Sequence, residues 1–438
     1  MTPLALLAAL ALAPLRPVAQ GEVPEPVRTW LAGAATELAS LAPEAPRGEL
    51  EPLRRIVGSA RIVALGEATH GSHEFFAFKR RALEFLVAEL GFTDFAIENG
   101  WEETEAADRW IQGGPGELAD ALKVLSPLWQ TQEYASMLSW MRAWNAEPGR
   151  TTKVHLHGLD LSNPRDPARE VKEYLARVDE GFAGDFGPLL DKVGGMVAGG
   201  RGGRGPTPEG EELAGLLTLF DELRADWCAA AGEPAWARAR RCAHVVHQFW
   251  IQQRERSGLD QMGFRDRFMA DTARWILAQD PARKLVLSAH NGHVSRDGLA
   301  IVEGYGRIES IGHALEADAA ASPDEDLSMV VIGCALARGG FRAYGSAGLA
   351  EFTLDGTPEG SIERELEAAG LKQALIHVDA APAEGPVRAW LDSPRPMTGI
   401  GGAYDPRAPL SDSTRLTTLP AEYDALFFVR ATTPARAP

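Results

Sequence analysis

The chain has 438 residues, 45% hydrophobic and 24% charged, which is enough for a sizeable core in one large domain or two ordinary ones. Its formal net charge of −17 repels phosphate backbones, which argues against a nucleic-acid partner. After the first twenty residues no segment is long and apolar enough to span a membrane, so none is expected to cross one.

Residues 1–20 stand apart. Leu4 to Pro14 is an apolar run too short to cross a bilayer, and Val18-Ala19 offers small residues near a plausible cut. The pattern is that of a secretory signal peptide, although no Lys or Arg precedes the apolar run and Arg16 follows it. It places the mature protein in the periplasm or outside the cell. Val27 to Leu41 reads as an amphipathic helix. Arg61 to Leu65 reads as a strand, Glu74 to Leu90 as a helix ended by Gly91, Thr93 to Ile97 as a strand and Lys153 to His157 as another. Strands alternating with helices predict an α/β fold with a mostly parallel central sheet and crossover helices. Residues 167–280 read as helical throughout, an insertion or cap between residues 21–166 and residues 281–432 of the α/β domain. A Gly-rich stretch at 193–210 reads as a connector or lid. Strands then resume at Lys284 to Ala289, Met329 to Leu336, Gln373 to Val378 and Ala425 to Val429.

The three cysteines, Cys228, Cys242 and Cys334, fit no zinc module; Cys228 and Cys242 flank a turn and are placed to pair or to stay as buried thiols. His244 and His247 share one helical face, a spacing open to shared ligation or to plain packing.

The chemistry concentrates at strand ends. The first strand stops in Gly66-Glu67-Ala68-Thr69-His70, the second in Glu98-Asn99-Gly100-Trp101, and a late one in Ser288-Ala289-His290-Asn291-Gly292-His293. In a parallel sheet these ends share one edge, where Glu67, His70, Glu98 and His290 converge on one cleft. Asp160 ends a third strand on the same edge, and Trp101 and Trp129 are candidates for its apolar wall. A carboxylate and an imidazole three residues apart suit acid–base hydrolysis or metal binding.

These motifs resemble the erythromycin esterase family. The resemblance rests on Gly66 to Phe76, on Ala96-Ile97-Glu98-Asn99 and on Ser288 to His293. Supporting matches are His157-Gly158-Leu159-Asp160, Arg265 to Ala270 and Gly401-Gly402-Ala403-Tyr404. It implies cleavage of a macrolactone or other ester by activated water, without a serine nucleophile or a resident metal. On that model His70 is the base, Glu67 and Glu98 orient it or the water, His290 meets the carbonyl or leaving alcohol, and His293 supports it. The resemblance implies an arginine nine residues after the base; this chain has Lys79 there, a charge without the planar fork, which bears on the substrate contact. Two other readings stay open. In one, Glu67, His70, Glu98 and His290 bind a divalent metal such as zinc in a hydrolase or peptidase. In the other, the cleft of a periplasmic protein holds haem or a small hydrophobic ligand without turnover.

Overall fold

The computed structural model describes residues 23–161, 163–197, 205–256, 258–302 and 306–438. The leader at 1–20 and the centre of the Gly-rich stretch lie outside the described residues. Thirteen strands are described: β1 (Ala35–Glu37), β2 (Ile62–Leu65), β3 (Asp94–Gly100), β4 (His155–Asp160), β5 (Leu285–Ser288), β6 (Ala300–Val302), β7 (Gly306–Ile308), β8 (Met329–Gly345), β9 (Gly348–Leu354), β10 (Gln373–His377), β11 (Arg395–Thr398), β12 (Thr414–Thr417) and β13 (Ala425–Thr432). Nine of them form one sheet in the order β1-β10-β13-β8-β2-β5-β3-β4, with β9 paired to β8. The six strands from β13 to β4 run parallel, and β10 and β1 close one edge antiparallel. The α/β, mostly parallel class read from the alternation is the observed one.

Burial on both faces explains why β2 and β5 are unbroken apolar runs, as parallel strands flanked by helices are. Ile62, Ala64, Ala96, Leu285 and Leu287 point into one core. Val63, Leu65, Phe95, Ile97 and Val286 point into the other. Helix Leu259–Ala278 packs into the first core through Phe268, Met269, Ala273 and Ile276. Helix His73–Leu90 packs into the second through Phe75, Phe78, Phe85 and Leu86. Between β4 and β5 the chain is built of helices, from Arg165–Val178 to Leu259–Ala278.

Two local expectations are corrected, and one left open is decided. The first helix covers Glu25–Ala34 only; the next three residues pair as β1 with β10, because an unfilled sheet edge outweighs the modest helical preference of a short segment. The strand expected at Met329 to Leu336 continues to Gly345, because its second half is the partner of β9. Cys228 and Cys242 are both free; the Cys228 thiol faces Glu233, and the buried Cys242 thiol faces Glu170.

The loop after β2 is pinned at Gly71. Its carbonyl accepts from Arg342 N at 3.0 Å and Ala435 N at 2.8 Å. A Cβ at Gly71 would lie 2.1 Å from the Arg342 carbonyl oxygen and 2.6 Å from its nitrogen, so backbone would have to move. Gly71→Ala is expected to lower stability by roughly 1–3 kcal/mol, measured as a shift in urea midpoint with unchanged slope.

Candidate active site

The sheet order sets the site. β2, β5, β3 and β4 are consecutive neighbours, and their C-terminal ends carry Glu67 and His70, His290, Glu98 and Asp160. Residues separated by more than two hundred positions therefore lie side by side. The rings of His70 and His290 are 5.3 Å apart, centre to centre, and those of His290 and His293 are 6.4 Å apart.

Glu67 is fully buried. Its Oε1 lies 2.6 Å from His70 Nδ1, and its Oε2 accepts from the buried Lys79 ammonium. Lys79 also donates to Ser288 Oγ at 2.8 Å. A carboxylate paired with an ammonium can only accept, so Nδ1 of His70 is the donor, and neutral His70 keeps its lone pair on Nε2. Trp129 packs edge-on against the His70 ring at 5.1 Å and is tied by its indole N–H to the Glu98 carbonyl oxygen at 3.2 Å.

Glu98 is the second centre. Its Oε1 accepts from Arg265 at 2.9 Å and lies 3.3 Å from His293 Nε2, and its Oε2 accepts from the His290 backbone N–H at 3.2 Å. Burial pushes the Glu98 carboxyl up, but the charges of His293 and Arg265 outweigh it and hold the group well below the usual carboxylate range. Arg265 also grips Asp160, with Nε 3.0 Å from Oδ1 and a terminal nitrogen 2.5 Å from Oδ2. His293 Nδ1 lies 2.6 Å from Asp266 Oδ1. Burial alone would lower its pKa; Asp266 and Glu98 reverse that and raise it to about 10, so His293 is an imidazolium at neutral pH.

His290 is the opposite case. Burial, with the neighbouring charge of His293, pushes it well below 6.5, so it is neutral. Its Nδ1 accepts from Gly292 N at 3.2 Å, which leaves the proton on Nε2. That Nε2 is buried and has no hydrogen-bond partner. Gly399 passes the ring so closely that a Cβ there would sit 3.3 Å from Cε1, and Ile400 N anchors this segment to the Ala68 carbonyl at 2.6 Å.

Two expectations about substrate contacts are corrected. Lys79 is completely buried behind Glu67 and serves as that carboxylate's counter-charge, because it lies on the buried face of helix His73–Leu90. Trp101 is buried in the core on the other sheet face, packed on Trp275 and under Arg238 and Arg241, while Trp129 takes the place beside His70. His73 is bound to Glu133 at 2.6 Å. The residues that the strand-end reading passed over are Arg265 and Asp266, whose only signal was their place in a supporting motif, Ser288, which stood in the late strand-end motif without a role, and Tyr134, which had no signal. Tyr134 is buried among the same groups; burial and the Glu67 charge hold its phenol well above 10, hence neutral. Among the described residues no three His, Cys, Asp or Glu side chains are grouped to hold a metal ion. A cavity of about 410 Å³ opens beside the network, lined by Asp160 and Arg265 and, from the helical segment, by Phe249, Gln252 and Gln253.

The family model for erythromycin esterase matches residues 87–432, most of the chain. The chain belongs to the erythromycin esterase family. The match begins beyond Glu67, His70 and Lys79 and takes in Glu98, Arg265 and His290. Erythromycin esterase type II of Escherichia coli is 24% identical over 376 residues, covering 75% of this chain and 83% of the relative. Erythromycin esterase type I of Escherichia coli is 24% identical over 268 residues, covering 57% and 65%. Among solved structures, a Bacillus cereus protein superposes with a TM-score of 0.78 at 24% identity over 94% of this chain and 98% of its own. An erythromycin esterase mutant in its open conformation gives 0.66 at 20% identity over 91% and 97%. These likenesses establish that the fold of this family member is shared.

His293 carries a sign-definite prediction. Its folded pKa of about 10 lies above the unfolded value of about 6.5. Its contribution to stability is therefore complete below about pH 6.5 and is lost as pH rises through about 10. Denaturation of the wild type should show stability falling between pH 7 and pH 10, with a shallower fall in His293→Gln; parallel slopes would refute the charged state.

Proposed function

We propose that this family member hydrolyses a carboxylic ester or lactone with a water activated by His70. The observation that carries the reading is the buried Lys79–Glu67–His70 chain, which fixes the imidazole with Nε2 as a base, 5.3 Å from the His290 ring whose Nε2–H has no partner. A base and an unsatisfied donor facing one space are the two groups that addition of water to a carbonyl requires.

The steps follow from those protonation states. Water attacks the carbonyl carbon while His70 Nε2 takes its proton. The oxyanion that forms is met by the His290 Nε2–H, which acts as a hydrogen-bond donor because that ring is neutral at working pH. Collapse breaks the bond to the alcohol oxygen, which takes the proton back from the His70 imidazolium. Glu67 steadies the imidazolium, and Lys79 is a positioning residue for Glu67. Glu98, Arg265, Asp160 and His293 hold the His290 backbone and the charge around it.

The donor set favours a reaction without a metal. Both Glu67 oxygens are engaged by His70 and Lys79, and both Glu98 oxygens by Arg265, His293 and the His290 backbone. The relatives' names make a macrolide-like small molecule the first substrate to try, and the leader-like residues 1–20 support export to the periplasm or beyond.

Purified protein tested on simple aryl esters and macrolactones should hydrolyse at least one class, with the rate unchanged by chelator. His70→Ala should lower kcat by about 10²–10⁴ with the far-ultraviolet circular dichroism intact. A rate abolished by chelator and restored by zinc would replace the activated-water reading with the metal one.

A further inference from the structure

A second cavity, of about 360 Å³, lies within the helical segment and uses none of the residues assigned above. Trp236, Ala237, Arg241 and His244 line it from helix Glu233–Trp250, and Asp271 and Trp275 line it from helix Leu259–Ala278. Its size is at the lower end for small-molecule sites.

Arg241 is the anomaly. It is only 3% exposed, yet it makes no ion pair among the described residues. One terminal nitrogen donates to Thr272 Oγ1 at 2.8 Å, and Nε has no partner. Aromatic rings surround the guanidinium, with Trp275 at 4.9 Å, Trp101 at 5.3 Å and Phe268 at 5.7 Å. Buried arginines are otherwise found paired, because a desolvated charge without a counter-charge is strongly unfavourable. Burial pulls this guanidinium down to about 10, the opposite of the paired arginines nearby.

The neighbouring charges do not supply the missing partner. Asp271 offers Oδ2 to Gln248 at 3.3 Å and Oδ1 to Arg267 at 3.2 Å. Asp221 and Arg240, also on the cavity wall, satisfy each other at 2.6 Å. His244 is neutral, since burial pushes it down to about 3. The cavity is therefore a space beside a guanidinium that no carboxylate contacts directly, with Asp271 and Glu105 acting on it only from farther off and two indoles for walls.

We propose that this cavity binds a small carboxylate with an aromatic or branched apolar body, the carboxylate on Arg241 and the body against Trp236 and Trp275. Such a ligand supplies the one charge that the site lacks, and its body replaces water on apolar surface. The site is separate from the proposed hydrolytic centre, so it stands or falls independently of that reading.

The test is equilibrium dialysis of the full chain against labelled benzoate up to about 1 mM, a concentration that detects a weak specific site. Saturable binding is expected, with unlabelled benzamide competing at least about ten-fold less well than unlabelled benzoate. Ala237→Phe, which fills the cavity, should remove the binding and leave ester hydrolysis and the melting temperature unchanged. Arg241→Met should also remove it; should that variant fail to fold, Ala237→Phe decides alone. His70→Ala should bind benzoate as the wild type does, which separates this site from a product bound at the strand ends. No saturation, equal competition by benzamide, wild-type binding in Ala237→Phe or loss of binding in His70→Ala would each overturn the proposal.

Discussion

Two buried carboxylates at the edge of a parallel sheet constrain everything around them. Glu67 has no exposure at all, and the Glu98 side chain has only 7%. A charge in that setting is tolerated only when its counter-charges arrive with it. They arrive from opposite faces of the sheet. Lys79 comes from helix His73–Leu90 on one side, and Arg265 from helix Leu259–Ala278 on the other. The ion pairs thereby fix where both helices stand relative to the strand ends. The proposed catalytic geometry and the packing of the two cores are one problem with one solution.

The same constraint divides the histidines. His290 and His293 are three residues apart on one short turn, yet burial and the His293 charge drive the first to neutrality, while Asp266 and Glu98 hold the second as a cation. Two identical side chains are given different protonation states by what each one faces, the usual way for a site to assign a donor and a fixed charge at one pH. His70 is set differently again, through the tautomer that Glu67 imposes on Nδ1.

How much of this could be read from the chain follows from the range of each interaction. The strands β2, β3 and β5 were legible because a strand buried on both faces is a short apolar run ended by polar residues. The meeting of Glu67, Glu98 and His290 was legible because a parallel sheet puts such ends on one edge. Partners from helices were not. Arg265 reaches Asp160 across 105 positions and Glu98 across 167, and nothing local in Arg265-Asp266-Arg267 tells which of the two arginines turns inward. Lys79 pointed to the substrate by resemblance, yet its depth was a matter of which helical face meets the core. Trp101 and Trp129 were equivalent by type; a choice between them requires knowing which sheet face each one joins. The β1 segment failed for a related reason, since its pairing with β10 crosses more than three hundred positions.

On the proposed reading, chemistry and selectivity fall on separate parts of the chain. The acid–base groups sit on the strand ends, where register holds them. The cavity beside them takes Asp160 from a strand end and Arg265, Phe249, Gln252 and Gln253 from the helical segment, part of it a π-helical turn at Ile251–Glu255. A π turn widens the helix locally and re-aims its side chains, an irregularity that proteins keep mostly where a site needs it. The sheet edge is tied down by buried ion pairs and tolerates little change, whereas the helical wall, Arg265 apart, can exchange side chains without disturbing them. The fold is shared at TM-scores of 0.66 to 0.78 while identity stays at 20% to 24%. On this view the substrate of a given family member is written in the helices between β4 and β5, and Gln252 and Gln253 are the side chains from which to read it.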